Sequence, residues 1–210
     1  MFKKVCIVIL ILSAFARTCF AQATSDAQQT LEFKQGFNFI AFTVKPNDNA
    51  ATFKSNNPYI EDIYGYSTAS GAFESFSGGT LTDLSAGKGY IVKAASAFQT
   101  TINGKDAGII DSITLKPGFN LVGISKPLTG VRFGNILKNV SLITGIYKWN
   151  AASGSFISVI KSASSPLDLI NGIDPAITSG QSFFINAANG MPFTYANETL
   201  SIGETTITAE

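Results

Sequence analysis

Lys34-Gln35-Gly36-Phe37-Asn38-Phe39-Ile40 returns 82 residues later as Lys116-Pro117-Gly118-Phe119-Asn120-Leu121-Val122. Working outward, Ile63-Tyr64-Gly65-Tyr66 returns as Ile146-Tyr147-Lys148-Trp149, and Ser70-Gly71-Ala72-Phe73 as Ser153-Gly154-Ser155-Phe156, both at an offset of 83. Ala86-Gly87-Lys88-Gly89-Tyr90-Ile91-Val92-Lys93 returns as Ser179-Gly180-Gln181-Ser182-Phe183-Phe184-Ile185-Asn186, at an offset of 93. Four blocks in one order make an internal duplication.

Each copy carries the same order of local signals. A strand follows the glycine. In it Phe37, Phe39, Ala41 and Thr43 share one face, and Asn38, Ile40, Phe42 and Val44 the other. Apolar residues on both faces predict a strand covered on both sides. A short helix comes next: Phe133, Ile136, Leu137 and Val140 are spaced i, i+3, i+4, i+7. Its counterpart at Ala50-Ala51-Thr52-Phe53 reads as shorter and weaker. Hairpins follow, Ile60 to Tyr66 turning at Ser70-Gly71 and Ile143 to Trp149 turning at Ser153-Gly154. Strands at Tyr90-Ile91-Val92 and Phe183-Phe184-Ile185 come last, with closing strands at Phe98 to Ile102 and Phe193 to Tyr195.

The fold expected is therefore mainly β: two tandem duplicated β modules, sandwich- or barrel-like, with about five strands and one short helix each. The predicted organisation is a signal peptide (1–23), a lead-in segment (24–30), module one (31–105), a junction (106–112), module two (113–197) and a C-terminal tail or strand (198–210). The jump in offset from 83 to 93 places an insertion in module two, within 161–175. Its Leu167-Asp168-Leu169-Ile170-Asn171-Gly172 reads as a helical turn.

The leader has the parts of an export signal: Lys3 and Lys4, the apolar run Val5 to Ala16, and cleavage signals at Ala21-Gln22-Ala23, an A-x-A match, and at Cys19-Phe20-Ala21. Both cysteines, Cys6 and Cys19, lie in it, so the mature chain is expected to have no disulfide. Periplasm, cell surface and medium all follow from such a leader. Without it the chain has 12 basic and 14 acidic residues, a net charge of −2, and no two basic residues are adjacent. Nucleic-acid binding by counterion release is not expected, nor is a membrane span after cleavage.

The repeated blocks resemble a repeat of exported bacterial and archaeal cell-surface proteins. Its pattern is G-[WF]-N-L-[IV]-G, then I-Y-x-[WY], then G-x-[GA]-Y-[WF]-[VI]. The matches are Gly36 to Ile40 with Gly118 to Gly123, Tyr64 and Tyr66 with Tyr147 and Trp149, and Gly87 to Val92 with Gly180 to Ile185. The resemblance implies a secreted or surface β module. It implies no single activity. The chain departs from the pattern in placing Phe37 and Phe119 where Trp is common.

There is no histidine, and no cysteine follows the leader. Ser-His-Asp and Cys-His catalysis are excluded, and so are the usual zinc sites. No enzyme, cofactor or metal is expected. Asn47-Asp48-Asn49 reads as a turn. Glu61, Asp62, Glu74 and Asp83 are the carboxylates a glycoside hydrolase would need, but none has an equivalent in the second copy. They support only a weak alternative. Tyr64 with Tyr66, and Tyr147 with Trp149, share strand faces and are the candidate ligand-binding residues, as stacking platforms for sugar rings or as caps on each core.

The function expected is an exported, non-enzymatic structural or adhesive protein of the surface or extracellular space, acting through sheet edges and loops. Its partners would be other surface or matrix proteins, or further copies of itself through strand addition by a terminal segment such as Thr205-Thr206-Ile207-Thr208. A carbohydrate-binding module is the alternative.

Overall fold

A computed structural model describes residues 25–108, 110, 112–160, 168–169, 174–196 and 199–208. The predicted signal peptide lies outside these residues. The first copy contributes β1 (Asp26–Phe33), β2 (Gly36–Ala41), β3 (Val44–Pro46), α1 (Ala50–Asn56), β4 (Ile60–Ser67), β5 (Ala72–Ser75), β6 (Gly89–Ala94) and β7 (Phe98–Asp106). The second contributes β8 (Ile113–Leu115), β9 (Gly118–Gly123), α2 (Phe133–Asn139), β10 (Ile143–Asn150), β11 (Ser155–Ile160), β12 (Asp168–Leu169), β13 (Ser182–Ala187), β14 (Met191–Ala196), β15 (Thr199–Ile202) and β16 (Thr205–Ile207). The protein is mainly β, with four small sheets in a propeller-like ring.

Two of the sheets, β2-β6-β4-β5 and β9-β13-β10-β11-β12, are copies of one design. Phe37 faces Lys93 as Phe119 faces Asn186, and Tyr66 faces Phe73 as Trp149 faces Phe156. Even the irregularity is duplicated. Register shifts between Ile60 and Asp62 on β4, and between the equivalent Ile143 and Gly145 on β10. The other two sheets, β1-β7-β3 and β8-β14-β15-β16, hold the ends of each copy.

The repeated Gly-Phe-Asn block has a local cause. Gly36 and Gly118 take φ of 90° and 92°, a region other residues avoid. The asparagine two places on closes the turn. Asn38 Nδ2 donates to the Lys34 and Gly36 carbonyls at 2.7 and 3.0 Å, and its Oδ1 accepts from Lys34 N at 2.8 Å. Asn120 repeats this with Lys116 and Gly118 at 2.8, 2.9 and 2.8 Å. Both side chains are buried. They satisfy backbone groups that the turn would otherwise leave without partners.

Each copy has its own hydrophobic cluster. One contains Leu31, Phe42, Phe53, Ile63, Tyr90 and Ile102. The other contains Ile124, Phe133, Ile136, Phe183, Phe193 and Ile207. Phe133, Ile136, Leu137 and Val140 are all buried, as their helical spacing predicts.

Several expectations are corrected. There are seven strands in the first copy and nine in the second among the described residues, not about five, because short edge strands carry little sequence pattern. The lead-in is not separate: β1 starts at Asp26 and pairs with β7 along its whole length. Where the sequence left tail or strand open for 198–210, β15 and β16 pair with β14 and with each other and bury Leu200, Ile202 and Ile207 in the second core. α1 is seven residues, the same as α2, because Asn49 Oδ1 caps it by accepting from Thr52 N at 2.9 Å. Within the insertion, Asp168 and Leu169 form a strand against Ile160 and Val159 where a helical turn was expected, since ladder pairing outweighs local propensity. The rest of that turn lies outside the described residues.

Candidate binding cleft

Strand parity sets the site. On β2, Asn38 and Ile40 point into the first core, so Phe37 and Phe39 point out of it. Phe119 and Leu121 on β9 do the same. Tyr64 and Tyr66 on β4, Ile91 on β6, Tyr147 and Trp149 on β10, and Phe184 on β13 share these outer faces. The two outer faces meet, and Ile91, Leu121 and Phe184 form a third buried cluster there, with Phe39, Tyr64, Tyr66 and Tyr147 packed against it.

Backbone contacts lock the two faces. Isolated bridges join Ile40 to Gln181 and Lys88 to Val122, and these two bridges exchange under the repeat offsets. Close approach requires small residues. A Cβ on Gly123 would lie 2.2 Å from the Lys88 carbonyl oxygen and 2.7 Å from Cβ of Ala41, its own repeat equivalent. A Cβ on Gly89 would lie 2.9 Å from Cβ of Ser182, again its equivalent. Residues that face their own repeat images mark a pseudo-twofold axis between the copies.

Two cavities, of about 430 and 440 Å³, flank this junction. The first is lined by Phe37, Phe39, Tyr64, Phe73, Ile91, Trp149 and Phe156, the second by Tyr66, Gly71, Phe73, Phe119, Tyr147, Phe156 and Phe184. Every position of the first except that of Phe39 has its repeat equivalent in the second. Phe73 and Phe156 are walls of both.

The aromatic rings form a continuous network across the copies. Phe39 stacks on Trp149 at 5.9 Å and 24° and meets Phe184 edge-on at 5.9 Å. Trp149 meets Phe156 at 5.0 Å as Tyr66 meets Phe73 at 5.3 Å. Trp149 Nε1 donates to the Phe37 carbonyl at 2.7 Å. Four of the rings remain open to solvent, Phe37 at 42%, Phe73 at 56%, Phe119 at 46% and Phe156 at 47%.

The lining is almost wholly apolar. Its polar atoms are chiefly the tyrosine hydroxyls, and burial, then the Asp62 carboxylate, push the Tyr64 phenol above its ordinary value. Burial holds the Lys148 ammonium, on the opposite face of β10 between Tyr147 and Trp149, below its ordinary value.

The structure brings the four sequence-predicted aromatics together. Tyr64 and Trp149 line one cavity, Tyr66 and Tyr147 the other. Sequence reasoning missed Phe37, Phe39, Phe73, Phe119, Phe156, Ile91 and Phe184. The signal was present: Phe37 with Phe119 and Phe73 with Phe156 are repeated positions on outward strand faces.

The candidate carboxylates do not converge. Glu61 is exposed and paired with Lys93 at 2.5 Å. Asp62 is buried, accepting from Ile63 N at 2.8 Å, from Ser77 N at 3.0 Å and from the Ser77 hydroxyl. Glu74 faces Gly65 across the hairpin, and Asp83 accepts from the Thr82 hydroxyl at 2.9 Å. Glu61 therefore serves an ion pair and Asp62 a loop tie.

No protein-family model, curated protein or solved structure matches this chain.

Proposed function

We propose that the protein is an exported, non-enzymatic structural or adhesive protein of the surface or extracellular space. It consists of two tandem β modules, sandwich- or barrel-like, and works by binding. Its engagement surface is the aromatic cleft between the modules, and its partners are components of the surface or matrix. The observation that carries this reading is the pair of repeat-equivalent apolar cavities, with four phenylalanine rings left open to solvent. Folding gains nothing from exposing those rings, whereas a ligand that covers them gains their burial. The terminal strands fit a donor role less well, because each is already paired within its own sheet.

A glycan is the second reading, favoured by the presence of Tyr64, Tyr66, Tyr147 and Trp149 in the cavities. Tyrosine and tryptophan combine a stacking face with a polar edge.

Trp149 makes the test direct, since it is the only tryptophan. Its fluorescence is followed while uncharged aromatic compounds and soluble oligosaccharides are titrated in turn. A saturable change with either class is expected, lost in a Phe73→Ser, Phe156→Ser double variant with unchanged far-ultraviolet circular dichroism. No change with any member of both classes contradicts the proposal.

A further inference from the structure

The pseudo-twofold axis gives the cleft two subsites, and their lining defines what they take. We infer that each chain binds two small, uncharged, aromatic ligands, one on each side of the Phe73–Phe156 pair. This rests on the reading of the cleft as the engagement surface.

Size comes first. Cavities of about 430 and 440 Å³ fall in the range of small-molecule sites. Charge comes second. Neither cavity is lined by a charged side chain, so an ionic ligand would be desolvated with nothing to compensate it.

Polarity separates an aromatic ring from a sugar. Each hydroxyl of a sugar needs a partner once water is excluded. Trp149 Nε1 is already spent on the Phe37 carbonyl, which leaves one tyrosine hydroxyl in the first cavity and two in the second, fewer than a sugar ring carries. A planar aromatic ligand needs no such partner, and the edge-on and stacked rings already lining the cleft are the arrangement it would extend.

An extended peptide is disfavoured at β2 on different grounds. Strand addition needs a free backbone edge beside the pockets. On β2 the Phe37 carbonyl is taken by Trp149, and Ile40 is bridged to Gln181.

The two subsites share walls but differ in one residue that makes them distinguishable. Trp149 lines the first, and its repeat equivalent Tyr66 lines the second. Only the first site reports directly through indole fluorescence. Phe37 belongs to the first alone and Phe119 to the second alone, whereas Phe73 belongs to both.

The test uses N-phenyl-1-naphthylamine, an uncharged aromatic probe that becomes fluorescent out of water, titrated into the purified protein. Probe emission gives the number bound, and the Phe37 and Phe119 variants assign each probe to its side of the cleft. Two probes per chain are expected. Phe37→Ala should weaken one of the two sites about tenfold, Phe119→Ala the other about tenfold, and Phe73→Ala both. Phe37→Leu and Phe119→Leu, which keep apolar bulk but lose the ring, repeat the comparison should either alanine variant fail to fold. One probe per chain, or Phe37 and Phe119 variants that weaken the same single site, overturns the two-subsite inference and leaves the cleft as a binding surface. No binding at all overturns both.

Discussion

The indole nitrogen of Trp149 and the carbonyl oxygen of Phe37 are 2.7 Å apart, although 112 residues of chain separate them. This hydrogen bond ties the hairpin of the second copy to β2 of the first. It also breaks the symmetry of the duplication, because Tyr66 stands at the equivalent position and has no indole. Trp149→Phe keeps the ring and removes the donor. The variant should lose about 1 kcal/mol, read as a lower urea midpoint, with the stacking on Phe39 retained. A variant as stable as the parent would mean that the hydrogen bond does not hold the copies together.

Gly123 tests the contact at the axis. Alanine there places its methyl 2.2 Å from the Lys88 oxygen, and that atom belongs to backbone that cannot swing aside. Gly123→Ala should cost about 1–3 kcal/mol, the usual penalty for overpacking. The equivalent site in the first copy already holds Ala41, so the loss would come from the junction and not from strand propensity. Thermal unfolding of the single variant checks it.

The asparagine clamps make a matched pair. Asn38→Ala and Asn120→Ala each leave the same backbone groups without partners, at Lys34 and Gly36 or at Lys116 and Gly118. Each should cost about 1–3 kcal/mol, and the two losses should be similar. A large loss in one copy with none in the other, measured by denaturant melts, would contradict the shared role.

Much of this was legible in the sequence, for identifiable reasons. The repeats fixed which residues are equivalent. Two-residue alternation around Asn38 and Ile40 assigned strand faces, and the 3.6-residue spacing of Phe133, Ile136, Leu137 and Val140 located α2. Tyr64, Tyr66, Tyr147 and Trp149 were legible because they alternate on two strands. Their meeting across the axis was not, because it depends on how the copies pack, and the bridges from Ile40 to Gln181 and from Lys88 to Val122 leave no local pattern. β3 and β8 were missed for a simpler reason: three residues are too few to show a period. The tie from Asp62 to Ser77 was not legible either, because it joins positions 15 residues apart.

Stability should depend on pH at both limits. Burial pushes the Asp62 carboxyl up, but hydrogen bonds from Ser77 and Ile63 outweigh it and hold the group below its ordinary 3.8. A folded value below the unfolded one stabilises the fold above about pH 4, and that contribution is lost as pH falls through the folded value. Burial pushes the Tyr90 phenol up to about 12, against hydrogen bonding from Ser85. Its contribution is complete below about pH 10 and is lost as pH rises through about 12. Asp62→Asn should flatten the acid limb of a plot of melting temperature against pH, and Tyr90→Phe the alkaline limb.

The most direct test of the cleft as the engagement surface is a map of amide chemical shifts on adding N-phenyl-1-naphthylamine to isotope-labelled protein. The changes should fall on β2, β4 and β5 and on β9, β10 and β11, around Phe37, Phe73, Phe119 and Phe156. Tyr59 and Leu142, also exposed and also repeat equivalents but outside the cavities, should stay silent. Shifts centred on Tyr59 and Leu142 or on the edge strands β1 and β16, with the cleft unchanged, would contradict the account.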